Sequence, residues 1–375
     1  MHDFSRVQRD LQESLSLDKH PVAILIGAGC PSAVRISDPS GASHPLIPDV
    51  RGLTEKIDAC LTGDPSYANL KKQFLDDGVN DFTIEDALSR VRLLARVAGR
   101  GNVRGLSEND LTELEKKLCE QISRVVKIEL PNEQTAYHHL ADWLGAIDRS
   151  RSPEIFTTNY DLLLEQALED RRIPFFDGFI GCRRPFFDLR AIEDETLPPR
   201  WVRLWKLHGS INWRYVENGL ICRSYPISAD ADGVLIHPSE LKYDQSRRMP
   251  YLAMLDRLSH FLKYSSAFLV TIGYSFSDQH LNEVLVHGMR SNPTAACFGL
   301  LYRILSEEKA AYELSKNIPT NVNLVARDAG IIRGIAGAWQ PDANAAPGTA
   351  ATTSELGDFA AFASFARGLS PRGDA

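Results

Sequence analysis

No stretch of this 375-residue sequence stays apolar long enough to span a bilayer. The start, Met-His-Asp-Phe-Ser-Arg, is polar and has no signal-peptide core. A cytoplasmic protein with no membrane contact is expected. Paired cysteines are missing too. Cys30, Cys60, Cys119, Cys182, Cys222 and Cys297 are scattered with no C-x-x-C spacing, which suits reduced thiols and not a structural zinc site. Positive charge is in deficit: the net charge of -7 argues against a broad nucleic-acid footprint. Internal repeats and coiled-coil heptads are absent. What is present is ordinary globular composition, 43% hydrophobic and 24% charged, enough for one large core or two smaller ones.

The strongest local signal is Val22-Ala23-Ile24-Leu25-Ile26, an apolar run that stops at Gly27-Ala28-Gly29. Such a run fits a strand buried on both faces of a parallel sheet. The glycines allow close backbone approach, and a turn there is where dinucleotide pyrophosphates sit in α/β sheets. The full G-x-G-x-x-G spacing is missing, so the turn alone is a weak signal. Three later turns each follow an apolar strand: Thr158-Asn159-Tyr160-Asp161, Leu207-His208-Gly209-Ser210 and Gly273-Tyr274-Ser275-Phe276-Ser277-Asp278. Read singly, Asp161 is a helix N-cap, Asn159 a turn residue and His208 a strand-end histidine bonded to backbone. His138, His139, His237 and His280 read as structural, and Cys30 as packing.

Between about Gly52 and Leu130 the pattern is helical. Thr83-Ile84-Glu85-Asp86 reads as a capping box before Ile84, Leu88, Val91 and Leu94. Ser107 opens a second long helix. No strand signal interrupts this stretch, which predicts an all-helical insertion over 52–130 in a discontinuous domain, 1–51 and 131–336. Helices are expected from Pro131, over 249–264 and from Ser306. Residues 171–200 read as loop, 210–223 as a small hairpin through Gly219, and Val234 to Pro238 as a strand end. Asn321 to Val325 reads as the last strand. From 337 the composition shifts to Ala, Gly, Pro, Thr and Ser, predicting a flexible tail to 375 with a linker over 342–354. Phe359, Phe362 and Phe365 mark a short helix in it, frayed or docking on a partner. Alternating strands and helices predict an α/β fold with a mostly parallel, Rossmann-like sheet.

The four turns in this order resemble the sirtuin-like family, and Ile47-Pro48-Asp49-Val50-Arg51 is similar to its IPDFR loop. More narrowly, the chain resembles NAD-hydrolysing sirtuin-like effectors of bacterial anti-phage defence, of the type that assembles with a HerA-family ATPase. The resemblance covers roughly residues 20–330, a large domain by ordinary domain sizes. It implies a sheet that binds NAD, as substrate, across its carboxyl edge. Gly27, Ala28 and Gly29 would hold the pyrophosphate by backbone N–H groups. Asp49 and Arg51 would lie near the nicotinamide-side ribose and phosphates, with Thr158 on the nucleotide-binding side. Asn159 and Asp161 would line the nicotinamide pocket, and His208 would be the catalytic base or contact the ribose. Gly273 and Ser275 would touch the adenosine side, and Asn323 the adenine ribose. Homo-oligomers are expected.

The chemistry agrees with this inventory. Breaking the nicotinamide–ribose bond passes through an oxocarbenium-like state, and the leaving group carries its own positive charge. Orientation of ribose and water matters more than a strong acid. Asn159 can donate and accept, and His208 can take a proton near neutral pH. Two departures from the family bear on activity. Sirtuin deacylases carry a four-cysteine zinc module after the His-Gly pair; here a hairpin with only Cys222 stands there, so neither zinc nor peptide deacylation is expected. Val50 replaces the loop phenylalanine that shields the ribose from water. The second leans towards hydrolysis. The competing readings are a deacylase or ADP-ribosyltransferase, and a non-catalytic NAD-binding scaffold that controls an ATPase.

Overall fold

The computed structural model describes the chain except residues 17, 19, 39, 195, 217–219, 226–233, 237–248, 341–352 and 371–375, and gives only the backbone of 234–236. The readings of Gly219, His237, Pro238 and most of the 342–354 linker fall outside the described residues.

Ten strands form one sheet: β1 (His2–Asp3), β2 (Val22–Ile26), β3 (Glu154–Thr157), β4 (Phe175–Phe176), β5 (Val202–Lys206), β6 (Phe268–Ile272), β7 (Ala296–Leu300), β8 (Val322–Val325), β9 (Ala329–Ile332) and β10 (Ile335–Gln340). Their order is β1-β10-β9-β8-β7-β6-β2-β3-β5-β4. Every pairing is parallel except β8–β9 and β9–β10. This is the expected Rossmann-type α/β sheet, with an antiparallel edge that the sequence reading lacked.

The helices, in chain order, are α1 (Phe4–Ser16), α2 (Val50–Leu61), α3 (Pro65–Asp76), α4 (Ile84–Ala98), α5 (Glu108–Val126), α6 (Ala136–Ala146), α7 (Leu163–Asp170), α8 (Leu189–Glu193), α9 (Tyr251–Phe261), α10 (Gln279–Ser291), α11 (Lys309–Ser315) and α12 (Phe359–Gly368). Among the described residues, none is long and apolar enough to cross a membrane.

Side-chain alternation splits the interior in two. Val22, Ile24 and Ile26 of β2 join one core, with residues of α1, α6, α7 and α12 and the buried face of α2–α5. Ala23 and Leu25 join the other, with α9, α10 and α11. Helices therefore cover both faces, which is what a strand buried on both sides requires.

Several boundaries differ from expectation. The stretch 52–130 is not all helix: Asn102–Val103 pairs with Leu106–Ser107 across a turn at Arg104 and Gly105, both with positive φ. The helix expected from Pro131 starts at Ala136, after Thr135, whose cap is closed by His138. The loop read over 171–200 contributes β4, α8 and two strands of a second sheet. That sheet has five strands and also takes in Gly209–Tyr215, Ile221–Arg223 and Val234–Ile236, where a lone hairpin was expected. Val325 does not end the sheet, because β9 and β10 follow. The flexible tail also fails as a description of 353–370. In α12, Phe359, Phe362, Ala363 and Ala366 are buried, and Phe359 meets Tyr137 of α6 edge-on.

Candidate functional site

From β2 the chain proceeds to β3 on one side, while β6 later adds to the other side of β2. The carboxyl ends of β2 and β6 are thus the switch point of the sheet, where α/β proteins place their ligands. Gly27 follows β2 and Gly273 follows β6, so two of the four turns meet there.

Their contact is main chain on main chain. A Cβ on Gly27 would lie 2.3 Å from the Gly273 carbonyl oxygen, and Gly273 has φ +64. No side chain fits between them. This corrects one expectation. The Gly27 N–H donates to the Ile272 carbonyl and the Gly29 N–H to the Gly273 carbonyl, each at 2.9 Å. Those two donors are occupied and cannot cradle a phosphate; of the three residues, Ala28 alone has no backbone hydrogen bond among those described. The glycines are needed for close approach. Cys30 beside them is fully buried, and its thiol donates to the Ile272 carbonyl. Burial pushes that thiol well up, which leaves it an inert packing group.

The turn after β3 is tied to the same place. The Thr158 N–H donates to the Ile26 carbonyl at 3.1 Å, and the Asn159 amide donates to the Gly27 carbonyl at 3.2 Å. Asn159 and Thr158 are half-buried. Asp161 points elsewhere. It is 6% exposed, and its Oδ1 accepts from the Leu163 N–H at the start of α7. Burial pushes its carboxyl up to about 6, against the opposing charge of Lys206. The buried Lys206 ammonium donates to the Asp161 carbonyl and, at 2.8 Å, to Glu165. Asp161 therefore supports the turn from beneath and does not line a pocket.

His208 follows β5, and its Nε2 lies 3.1 Å from Asp278 Oδ2. The other oxygen of Asp278 accepts from the Leu281 N–H, capping α10. Burial pushes the Asp278 carboxyl up, but the hydrogen bond and charge of His208 outweigh it and hold the group below the usual carboxylate range. The Asp278 loop is fixed by its neighbours. The Tyr274 hydroxyl donates to Asn282 Oδ1 at 2.8 Å, and the Asn282 amide donates to the Phe276 carbonyl at 2.7 Å. Asp278 closes the Gly273-to-Asp278 motif but was given no site role from the sequence. One carboxylate does both jobs because it has two oxygens.

The remaining assignments divide. Asp49 is exposed and caps α2 by accepting from the Gly52 N–H; Arg51, the second residue of that helix, is exposed. Ser275 is exposed at the carboxyl edge, its hydroxyl on that of Ser277. Asn323 does not join the site. It sits inside β8 opposite Phe298, and its Oδ1 accepts from the Arg333 N–H of the β9–β10 turn. Its role is to pin a hairpin.

A separate cavity of about 250 Å³ between α9 and α10, lined by Lys263, His280, Glu283 and His287 among others, shares no residue with these turns. Among the described residues no group of three or more His, Cys, Asp or Glu is placed to hold a metal ion.

The strand order and the convergent turns define a Rossmann-type α/β protein with a polar site at the switch point of its sheet. Residues 153–320 match the SIR2-like domain family, a stretch that carries the Asn159, His208 and Asp278 turns. No curated protein matches the sequence. Similar solved structures include a Sir2 homologue in complex with NAD (14% identical, covering 82% of this chain and 94% of that one, TM-score 0.36). A mutant Sir2 homologue in complex with ADP-ribose is 15% identical (80% and 87% covered, TM-score 0.34). Sir2 bound to an acetylated peptide is 13% identical (78% and 86% covered, TM-score 0.33).

Proposed function

We propose that this protein is an NAD+ glycohydrolase, cleaving the nicotinamide–ribose bond to give nicotinamide and ADP-ribose. The observation that carries the reading is the His208–Asp278 pair at the same sheet edge as Asn159 and the Gly27 turn. The match of 153–320 to the SIR2-like domain family supports it.

With Nε2–H held by Asp278, His208 Nδ1 presents a lone pair. That atom accepts the proton of a water, or of a ribose hydroxyl, as the C–N bond breaks and water adds to the ribose carbon. Asn159 orients the ribose and water by donating and accepting at once. Proton transfer of this kind supplies roughly 100- to 10,000-fold, and positioning supplies most of the rest. Asp278 keeps the imidazole in one tautomer and stabilises its protonated form, as the third member of a catalytic triad does.

The chain's division into a discontinuous nucleotide-binding unit (1–51 and 131–336) with an inserted 52–130 segment is part of the same proposal. So is its wider setting: a cytoplasmic homo-oligomer that depletes NAD during phage infection under control of a HerA-type ATPase. That setting rests on the motif resemblance. The test is NAD incubated with purified protein, alone and with an acylated peptide. Free ADP-ribose without peptide supports hydrolysis. NAD loss only with peptide would mean an acyl transfer, and tight binding without loss would mean a scaffold.

A further inference from the structure

Tyr160, between Asn159 and Asp161, ties separate parts of the chain together. It is 6% exposed, and its ring lies in the core that also takes in Ile84, Leu88 and Ile211. Its carbonyl accepts from the Ile211 N–H at 3.0 Å and from the Ser210 hydroxyl at 3.4 Å. Both donors belong to the strand Gly209–Tyr215, which begins directly after His208. Its hydroxyl donates to Glu85 Oε1 at 2.8 Å, across 75 residues of sequence. Burial, and after it the Glu85 charge, pushes that hydroxyl well up, so it remains a donor. A hydroxyl buried in this way needs its acceptor, and a carboxylate is a strong one.

Glu85 is itself held. It stands in the first turn of α4, which opens at a capping box. The Thr83 hydroxyl accepts from the Asp86 N–H at 3.2 Å, and Asp86 Oδ2 accepts from the Thr83 N–H at 2.7 Å. The Ile84 N–H donates to the Thr54 hydroxyl of α2 at 2.9 Å, and that hydroxyl donates to the Val50 carbonyl at 2.7 Å. The acceptor offered to Tyr160 is therefore anchored on two helices. On the other side, the Asn159 amide donates to the Gly27 carbonyl. The residue next to Asn159 is thus braced on α4 by its side chain and on the strand after His208 by its carbonyl.

We propose that Tyr160, braced by Glu85, is a positioning residue: it fixes the Asn159 turn relative to the strand after His208, so that the 52–130 segment supplies part of the frame of the active site. The effect on rate rests on the NAD-hydrolysis reading; the effect on the turn does not.

The test uses the full chain with Tyr160→Phe, Glu85→Ala, Glu85→Gln and the double variant Tyr160→Phe/Glu85→Ala. Hydrogen exchange at the Ile211 amide, which donates to the Tyr160 carbonyl, reports the turn without any substrate. Tyr160→Phe and Glu85→Ala should each speed it about 2- to 10-fold, the range for one lost hydrogen bond. The same two variants should lower kcat about 10- to 100-fold, with KM for NAD within about threefold. Glu85→Gln keeps an acceptor for the hydroxyl and should hold both exchange and kcat near the wild type. The double variant should be no worse than the worse single one, because both changes remove the same bond. Ile211 exchange at the wild-type rate in Tyr160→Phe overturns the proposal, and so does faster exchange with kcat unchanged. A wild type that never releases nicotinamide, with the exchange pattern as described, keeps the brace and rejects the hydrolase reading instead.

Discussion

His208 and Asp278 show how much chemistry one carboxylate can set. With Oδ1 on the Leu281 N–H and Oδ2 on His208, Asp278 fixes both the start of α10 and the imidazole. The turns that carry His208 and Asn159 were legible in the sequence because each follows an apolar strand. The hydrogen bond from the Tyr160 hydroxyl to Glu85 was not, because the two residues are remote in the chain and the Glu85 motif is fully explained as a helix start. Asp161 was misread for the opposite reason: its place in the turn suggested the pocket, but its carboxyl turns to Leu163 and the interior. That burial has a consequence for stability. A folded-state value of about 6 against roughly 4 in the unfolded chain means the native state binds the extra proton between those pH values. Stability from this group is therefore lost as pH rises from about 4 to 6, by an amount of order 3 kcal/mol. Asp161→Asn, neutral throughout, should gain that much relative to the wild type between pH 4 and pH 7 in denaturant melts. A difference that stays flat across this range would mean the carboxyl is not desolvated as described.

At the scale of elements, the strands that organise the fold were the easiest to read. β2 and β6 are continuous apolar runs, and only a sheet covered on both faces accommodates those. β9 and β10 escaped notice because Ala329–Ile332 and Ile335–Gln340 are rich in glycine and alanine and lack clear alternation. Packing overrides that weakness. The Trp339 ring fills the space where a Cβ on Gly330 would be, and its indole N–H donates to the Ala326 carbonyl at 2.9 Å. Helix α12 was hidden by the biased composition before it. It begins just after Asp358, which caps it, and it lays Phe359, Phe362 and Ala363 into the core shared with α6. Phe362→Ala should cost about 3–5 kcal/mol, the usual loss for a fully buried aromatic. Urea unfolding checks this. A change under about 0.5 kcal/mol, the size typical of surface substitutions, would mean that α12 does not pack against α6 in solution.

At the scale of the whole molecule, the inserted helices and the carboxyl edge share one continuous core. A partner gripping α2–α5 would therefore act on the first turn of α4 and, through the hydrogen bond of Glu85 to the Tyr160 hydroxyl, on the turn after β3. That is the route by which the proposed HerA-type ATPase would govern turnover. Mixing the two proteins and weighing the particle in solution should yield a complex heavier than either alone; two unmixed species would remove the ATPase from the account. The most direct measurement is nicotinamide release from NAD by wild type, His208→Ala and Asn159→Ala, with and without that ATPase. Release by the wild type, reduced at least about 100-fold in both variants, is expected. Equal release by all three, or none by the wild type under either condition, would contradict a hydrolytic site built on His208 and Asn159.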